Sequence, residues 1–349
     1  MSNFLQLHLL TSYPPSNLNR DDMGRPKTAR MGGVERLRVS SQSLKRHWRT
    51  SDLFESALSG HLGKRTKRLG VEVFDILLEG GITPKKATEW AVDIANVFGK
   101  GKKEELEIEQ LVHVSLAERE AVHELARLLA SEQRPAAKEE LDLLRKDRMD
   151  ADIALFGRML ASKPIYNVEA ACQVAHAISV HSVMVEDDYF TAVDDLNEGK
   201  EDLGASHIGE KGFAAAVFYS YICLDTDLLL QNLNGDQALV DRTIAALVEV
   251  AAKVSPSGSQ NSFASGSMAN YVLVEKGPQQ PRSLSVAFLK PIKGENQLED
   301  AIKALNNQYK IFDQVYDNCA DERYVMDAVN GKGSLKEMVE FAVSASDKS

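Results

Sequence analysis

Cysteine is scarce in this chain, and what there is does not pair. Cys172, Cys223 and Cys319 are far apart, odd in number and free of any Cys-x-x-Cys spacing. That argues against a disulfide framework or a structural zinc site and for a reducing cytoplasm. No run of about 18 apolar residues exists, so no membrane span is expected. The opening residues Met1-Ser2-Asn3-Phe4 carry no basic stretch ahead of an apolar one, and no secretory signal peptide is expected. The Gly-x-x-x-x-Gly-Lys-Ser/Thr loop, the Gly-x-Gly-x-x-Gly turn and the Gly-x-Ser-x-Gly elbow are all missing. With them go the commonest routes to phosphoryl, hydride and acyl transfer. His176 and His181 stand five apart on what reads as a strand, hence on opposite faces, where they cannot share a metal. The adjacent pairs Asp21-Asp22, Asp187-Asp188 and Asp194-Asp195 are commoner as turn and cap residues than as converging ligands of a two-metal site. No catalytic residue, metal site or cofactor is expected, and the chain reads as a binding protein rather than an enzyme.

What is present is charge, unevenly placed. The 349 residues are 44% hydrophobic and 26% charged, with a net charge of −10. Residues 1–68 nevertheless hold 13 Lys/Arg against 5 Asp/Glu, and the remainder 28 against 46. A basic end on an acidic body is the asymmetry expected where one surface meets phosphate; solubility alone accounts for the acidic remainder equally well.

Residues 3–12 are mostly apolar, too short for a good helix and stopped by Pro14-Pro15, which predicts a buried strand. Residues 13–40 hold three prolines, three glycines and six Arg/Lys and read as a long functional loop. Ser40 or Ser41 then caps a helix running through Leu44, Trp48, Phe54 and Leu58. Helical patterns fill 71–79, 84–98, 116–131 and 136–149, interrupted by a basic break at 99–103, and suggest a helical insertion. Residues 170–183 read as one strand with Cys172, Val174, His176, Ile178 and Val180 on one face. Residues 214–224 read as another, and the polar, acidic 186–212 between them as a long projecting loop rather than a tight hairpin. A helix at 236–254, strands at 270–276 and 284–290, a helix at 297–317, a strand at 323–328 and a helix at 334–346 complete the chain. This order, with an antiparallel component, predicts an α+β fold.

The strongest local signal is Arg36-Leu37-Arg38-Val39-Ser40-Ser41-Gln42-Ser43-Leu44-Lys45-Arg46-His47-Trp48-Arg49. A basic strand-like piece enters a capped helix whose free N–H groups and dipole favour phosphate. Lys45 and Arg49 share one helix face while Leu44 and Trp48 share another. With Arg20, Arg25, Lys27 and Arg30 just upstream, phosphate binding is favoured over a merely solvated surface helix.

Together with Leu18-Asn19-Arg20-Asp21-Asp22, this segment resembles the CasC family, the guide-RNA-binding backbone subunits of type I-E CRISPR Cascade complexes. Asp152-Ile153-Ala154-Leu155 with Gly157-Arg158-Met159, then Ala175-His176-Ala177-Ile178, Tyr189-Phe190-Thr191-Ala192-Val193-Asp194-Asp195-Leu196, Ser206-His207-Ile208-Gly209 and Val217-Phe218-Tyr219 follow in the same order. The likeness runs from residue 1 to about 265 and is weak in the helical block and near the C-terminus.

The resemblance implies a modified RNA-recognition-motif palm with a ferredoxin-like sheet (1–55, 150–185 and 213–349), helical fingers (56–149) and a projecting thumb (186–212). It implies several copies lined along one CRISPR RNA in the prokaryotic cytoplasm, with target DNA pairing to the guide. Large, small and RNA-end-binding subunits would complete the complex. Asn19, Arg20, Lys27, Arg38, Ser41, Gln42, Lys45, Arg46 and Arg49 would hold the guide backbone. Phe190, flanked by Tyr189 and Thr191, would interrupt the base pairing, with Met159 beside it as an apolar wedge. Gln260 and Asn261 lie in a segment resembling a loop near the guide, without the basic residue expected just before Gln260. Lys102, Lys103, Arg145, Lys146 and Arg148 are candidates for duplex DNA by charge only. Two alternatives stay open: metal-dependent RNA cleavage by a loop aspartate (Asp21, Asp22 or Asp188), and a plain monomeric RNA-binding module.

Overall fold

In the first strand, apolar residues sit on both faces of the chain, so the strand is buried on both sides. Leu5, Leu7 and Leu9 point into one core and Leu10 into another. Each leucine so buried is worth about 1.5–3 kcal/mol. The computed structural model describes residues 3–101, 105–146, 149–192 and 207–344.

In chain order the elements are β1 (Phe4–Ser16), β2 (Thr28–Met31), β3 (Val34–Val39), α1 (Ser41–Arg49) and α2 (Asp52–Ala57). A mainly helical stretch follows, with β4 (Lys64–Thr66), α3 (Leu69–Glu79), α4 (Pro84–Ala95), β5 (Val112–Val114), α5 (Leu116–Glu132) and α6 (Ala151–Phe156). The chain returns to sheet in β6 (Cys172–Val174), β7 (Ala177–Ser179), β8 (Glu186–Ala192) and β9 (His207–Asp225). It ends with α7 (Thr226–Asn232), α8 (Gln237–Lys253), α9 (Gln260–Phe263), β10 (Tyr271–Gly277), α10 (Gln297–Tyr316), β11 (Glu322–Asp327) and α11 (Leu335–Val343).

The main sheet is antiparallel in the order β11-β10-β1-β9-β7-β3-β2, with β6 and β8 also pairing with β9. The α+β class is therefore as expected. One face of the sheet packs on Ile244, Leu247 and Val248 of α8, with Leu44 and Trp48 of α1 in the same core. On the other, Tyr219, Tyr271 and Leu273 lie under Phe288 and under Ala301, Ile302 and Leu305 of α10. Both faces are closed. A separate core joins Leu69, Val73 and Leu77 of α3 to Ile94 of α4 and Val122 and Leu129 of α5.

Several boundaries differ from the sequence reading. β1 does not stop at Pro14-Pro15 but continues to Ser16 through an irregular register. Beyond Leu10 it pairs with β9 alone, so the prolines sit where no partner requires their missing N–H. Residues 13–40 are not one loop. They contain the β2–β3 hairpin, turned at Gly32 and Gly33 with φ of +62° and +82°, the backbone that favours glycine in a two-residue turn.

The helix expected to run to Leu58 breaks at Thr50, and Ser51 recaps α2 by accepting the Phe54 N–H. The strand at 170–183 is two short ones separated at Ala175-His176. Cys172 faces inward in the first and Ala177 and Ser179 in the second, so the alternation changes phase. Among the described residues of 136–149, the helix expected there is a 3-10 turn at Lys138–Leu141. The Arg145 N–H goes to Glu118 and its carbonyl accepts from Arg158, which takes both groups away from a helical ladder. Residues 284–290 are a 3-10 turn, Ser285–Phe288, seated on the sheet rather than a strand within it.

Candidate nucleic-acid interface

α1 is built by its sequence. Ser40 caps it, its side chain accepting the Ser43 N–H at 3.3 Å, and Leu44 and Trp48 anchor it to the core. Arg46, His47 and Arg49 fill its last turn, where cations complement the helix dipole. Asn19 accepts the Ser40 N–H at 2.9 Å, so its side-chain oxygen sets where the helix begins.

The outward face of α1 forms one wall of a groove of about 780 Å³ lined by Gln42, Lys45, Arg46 and Arg49. Thr50, Arg65 of β4, Gln110, Leu111, His113 of β5, Phe156, Gly157, Arg158 and Met159 complete the lining, which holds no aspartate or glutamate. The Lys45 ammonium lies 6.0 Å from the Phe156 ring centroid, and Met159 is 80% exposed. Behind the lining, Asp152 accepts the His113 Nε2–H at 2.7 Å, and Arg49 Nη1 lies 3.7 Å from the same carboxylate. Burial lowers the basicity of Arg49, opposed by Asp152 and reinforced by Arg65 and Arg46 nearby. Arg158 is spent internally, paired with Glu118 at 2.7 Å.

The cationic surface continues from the groove. Arg38 Nη1 donates to His176 Nδ1 at 2.9 Å. Burial lowers the His176 pKa, with the charges of Arg38, Lys27 and Lys45 adding to the effect, a direction that favours the neutral ring over the charged one. Arg20 is exposed in a turn bridged to Pro26. Ser41 is buried, its hydroxyl 3.5 Å from the Gln42 side-chain oxygen.

Tyr189, Phe190 and Thr191 lie in β8, whose pairing with β9 makes a two-stranded ribbon over 186–192 and 207–213. The segment read as a projecting loop thus has paired arms; Asp194 and Asp195 fall outside the described residues, as do Lys102, Lys103 and Arg148. Phe190 lies across Gly209, where an added Cβ would come 2.3 Å from the ring. At the ribbon's base Arg25 pairs with Asp187 at 2.8 Å, and Lys211 meets Ser262 and the Phe263 ring of α9. Gln260 and Asn261 open that short helix, Gln260 accepting from Ser265. His47 links α1 to this region through Ser257 at 2.9 Å. The groove lining includes Met159 but no described residue of the ribbon.

Arg65, Gln110 and His113 were missed by sequence reasoning. The basic run Lys64-Arg65-Thr66-Lys67-Arg68 entered only as bulk charge, although it was the signal for the groove's second wall. Asp21 accepts the Met23 and Arg25 N–H groups, the turn role of an Asx residue. Among the described residues no three of His, Cys, Asp and Glu come together as ligands. No described helix is long and apolar enough to cross a membrane.

Many solved chains are similar to this one, two of them as follows. One, described as "CRISPR RNA-guided surveillance complex, pre-nicking", is 28% identical with a TM-score of 0.82, covering 97% of this chain and 100% of its own. Another, a "CRISPR RNA-guided surveillance complex", is 25% identical with a TM-score of 0.71 over the same shares. No curated protein sequence matches. The family model of the CT1975-like proteins matches residues 5–346, nearly the whole chain, and together with these structures it bears out the CasC resemblance: this protein belongs to the CT1975-like family of CRISPR backbone subunits.

Proposed function

We propose that this chain binds the guide RNA of a CRISPR surveillance complex as a backbone subunit. It grips the sugar–phosphate chain without reading sequence and does no chemistry on it. The observation that carries the proposal is the groove: Gln42, Lys45, Arg46, Arg49 and Met159, expected from the resemblance to meet the guide, line one cavity with no acidic residue in it. Such a lining suits phosphate by charge and an unstacked base by its apolar floor. Lys27 and Arg38 extend the track beside it, and Asn19, Arg20 and Ser41 belong to its edge.

On this reading the palm is a modified RNA-recognition motif comprising 1–55, 150–185 and 213–349, with 56–149 as fingers and 186–212 as thumb. The broad face of the sheet, where such motifs usually stack bases, is covered by α10, so the guide runs along the α1 margin instead. Tyr189, Phe190 and Thr191 of the ribbon are not part of the groove lining that holds Met159, and on this reading a neighbouring copy would bring its own ribbon across the RNA here. Gln260 and Asn261, beside the ribbon base, would steady the guide on the same side. Copies would line up as a filament, with target DNA pairing to the exposed guide and the large, small and end-binding subunits completing the particle.

The test is to purify the complex through a tag on this chain after co-expression with a CRISPR array, then size and footprint the bound nucleic acid. A uniform RNA protected at regular intervals supports the proposal. Lys45→Ala/Arg46→Ala is expected to weaken retention and to lower the salt slope by about 0.7 for each phosphate no longer neutralised. Phe190→Ala should blur the periodicity with smaller loss of RNA. Chain recovered without RNA, or with heterogeneous unprotected RNA, would overturn it.

A further inference from the structure

Asp152 lies at the start of α6 with no exposed surface, and it binds three separate segments. Its Oδ1 accepts the Gly63 N–H at 2.9 Å, from the chain that leads into β4. Its Oδ2 accepts His113 Nε2–H from β5 at 2.7 Å and faces Arg49 Nη1 from the end of α1 at 3.7 Å. The Arg49 and His113 atoms are themselves 3.3 Å apart. In the β4–β5 pairing, Arg65 is the direct partner of His113, and cross-strand partners project from the same face of a two-stranded sheet. Arg65 is therefore carried on the face that turns toward Asp152 and Arg49, and both arginines line the groove.

Three arginines, Arg46, Arg49 and Arg65, thus crowd one end of the groove with a single carboxylate behind them. Like charges so placed repel, and the repulsion is relieved by an anion that accepts from several forks at once. The carboxylate is too deeply buried to serve as that anion's substitute for all three, but it is placed to fix the direction of one.

We propose that Asp152 is a positioning residue for RNA-backbone recognition, aiming Arg49 at the same phosphate that Arg65 reaches from β4, so that the guide is gripped from both walls of the groove. This rests on the groove's being the guide site. The chemistry recognised is a phosphodiester of single-stranded RNA, and the β4–β5 ribbon becomes part of the binding machinery rather than a mere brace.

The experiment uses the full chain and a mixed-sequence single-stranded RNA oligonucleotide, titrated at several salt concentrations. Asp152→Asn and Arg49→Ala are each expected to weaken binding by about tenfold, and both should lower the salt slope by about 0.7. In the Arg49→Ala background, Asp152→Asn should cost nothing more, because the two residues act as one unit. Arg65→Ala should weaken binding with a similar change of slope. Arg49→Lys, which leaves the buried carboxylate untouched but removes the fork, should bind less tightly than wild type, and it decides the matter if Asp152→Asn does not fold. A loss on Asp152→Asn that is as large without Arg49 as with it would overturn the proposal, since the residue would then act through the fold. So would an Arg49→Lys chain that binds like wild type. If Lys45→Ala/Arg46→Ala also leaves binding unchanged, the groove is not the RNA site and the underlying reading fails with it.

Discussion

Two of the places where arginine, histidine and carboxylate gather in this chain, around Glu275 and around Asp152, have opposite outcomes. Beside α10, Glu275 accepts from His8 at 3.1 Å, from both ends of the Arg282 fork at 2.6 and 2.9 Å, and from Arg323 at 2.7 Å. Arg323 turns its other end to Asp313, and His8 gives its second nitrogen to the Tyr219 hydroxyl. Burial alone would raise the Glu275 pKa, but the bonds from His8 and Arg282 hold the carboxyl well below its usual range. Two carboxylates answer two guanidiniums. In the groove the lining has cations and no acid, with Asp152 behind it facing two basic side chains, Arg49 and His113. A completed cluster has nothing left to offer a ligand; an uncompleted one is held in shape by the fold while its surplus charge faces outward.

The sharpest way to break this comparison is Glu275→Ala. It leaves His8, Arg282 and Arg323 around an empty centre with little solvent access, and removing one partner of a buried ionic cluster costs about 3–5 kcal/mol. Thermal unfolding should show a large drop in Tm, while the salt slope of RNA binding by the folded protein stays as in wild type. A stable variant, or one whose slope falls, would mean that the two clusters are not separable in this way.

A second contrast lies within the junction behind the groove. Burial raises the carboxyl of Asp150 from 3.8 to about 6, with Asp152 and Glu118 adding to it while the Leu116 N–H and Arg158 oppose. A raised folded-state pKa means that the stability linked to this proton is fully present below about 3.8 and is lost as pH rises through about 6. Asp150→Asn, which still offers an oxygen to the Leu116 N–H, is therefore expected to be more stable than wild type at pH 8 by about 1–3 kcal/mol. At pH 4 the two should unfold together. Denaturant midpoints at the two pH values check this, and an equal difference at both would refute the assignment.

The cluster under α10 was invisible in the sequence for a definite reason. His8, Glu275, Arg282 and Arg323 are scattered over the chain, and only the register of β1 with β10 and of β10 with β11 brings them together. The groove's first wall was legible because one helix carries it: Ser40, Gln42, Lys45, Arg46 and Arg49 lie within ten residues of each other and follow helical spacing. Its second wall was not, since Arg65 and His113 meet only through the β4–β5 pairing across a long helical insertion. Strands with continuous apolar runs, such as β1, β9 and β10, could be read directly. β3 could be read only as a strand-like piece from Arg36 on, at the end of what otherwise looked like loop, because Arg36 sits where a core residue is expected. It is fully buried, and its guanidinium donates to the carbonyls of Met31, Ser179 and Phe288. A buried cation satisfied by backbone oxygens looks, in sequence, like loop polarity.

The smallest expected effect on stability bears most directly on function. Arg46 is exposed on α1, and its charge acts against Arg49 rather than with a carboxylate. Truncating Arg46 to alanine removes repulsion and leaves in place the backbone carbonyl that accepts from Thr50, the C-cap of α1. Its unfolding free energy should stay within about 0.5 kcal/mol of wild type, on the stabilising side if anything, while RNA retention falls. That pairing of outcomes, loss of ligand without loss of fold, is what surplus charge predicts. A destabilised Arg46→Ala chain would instead put Arg46 among the residues that hold the molecule together, and the distinction between the completed and the uncompleted cluster would not survive it.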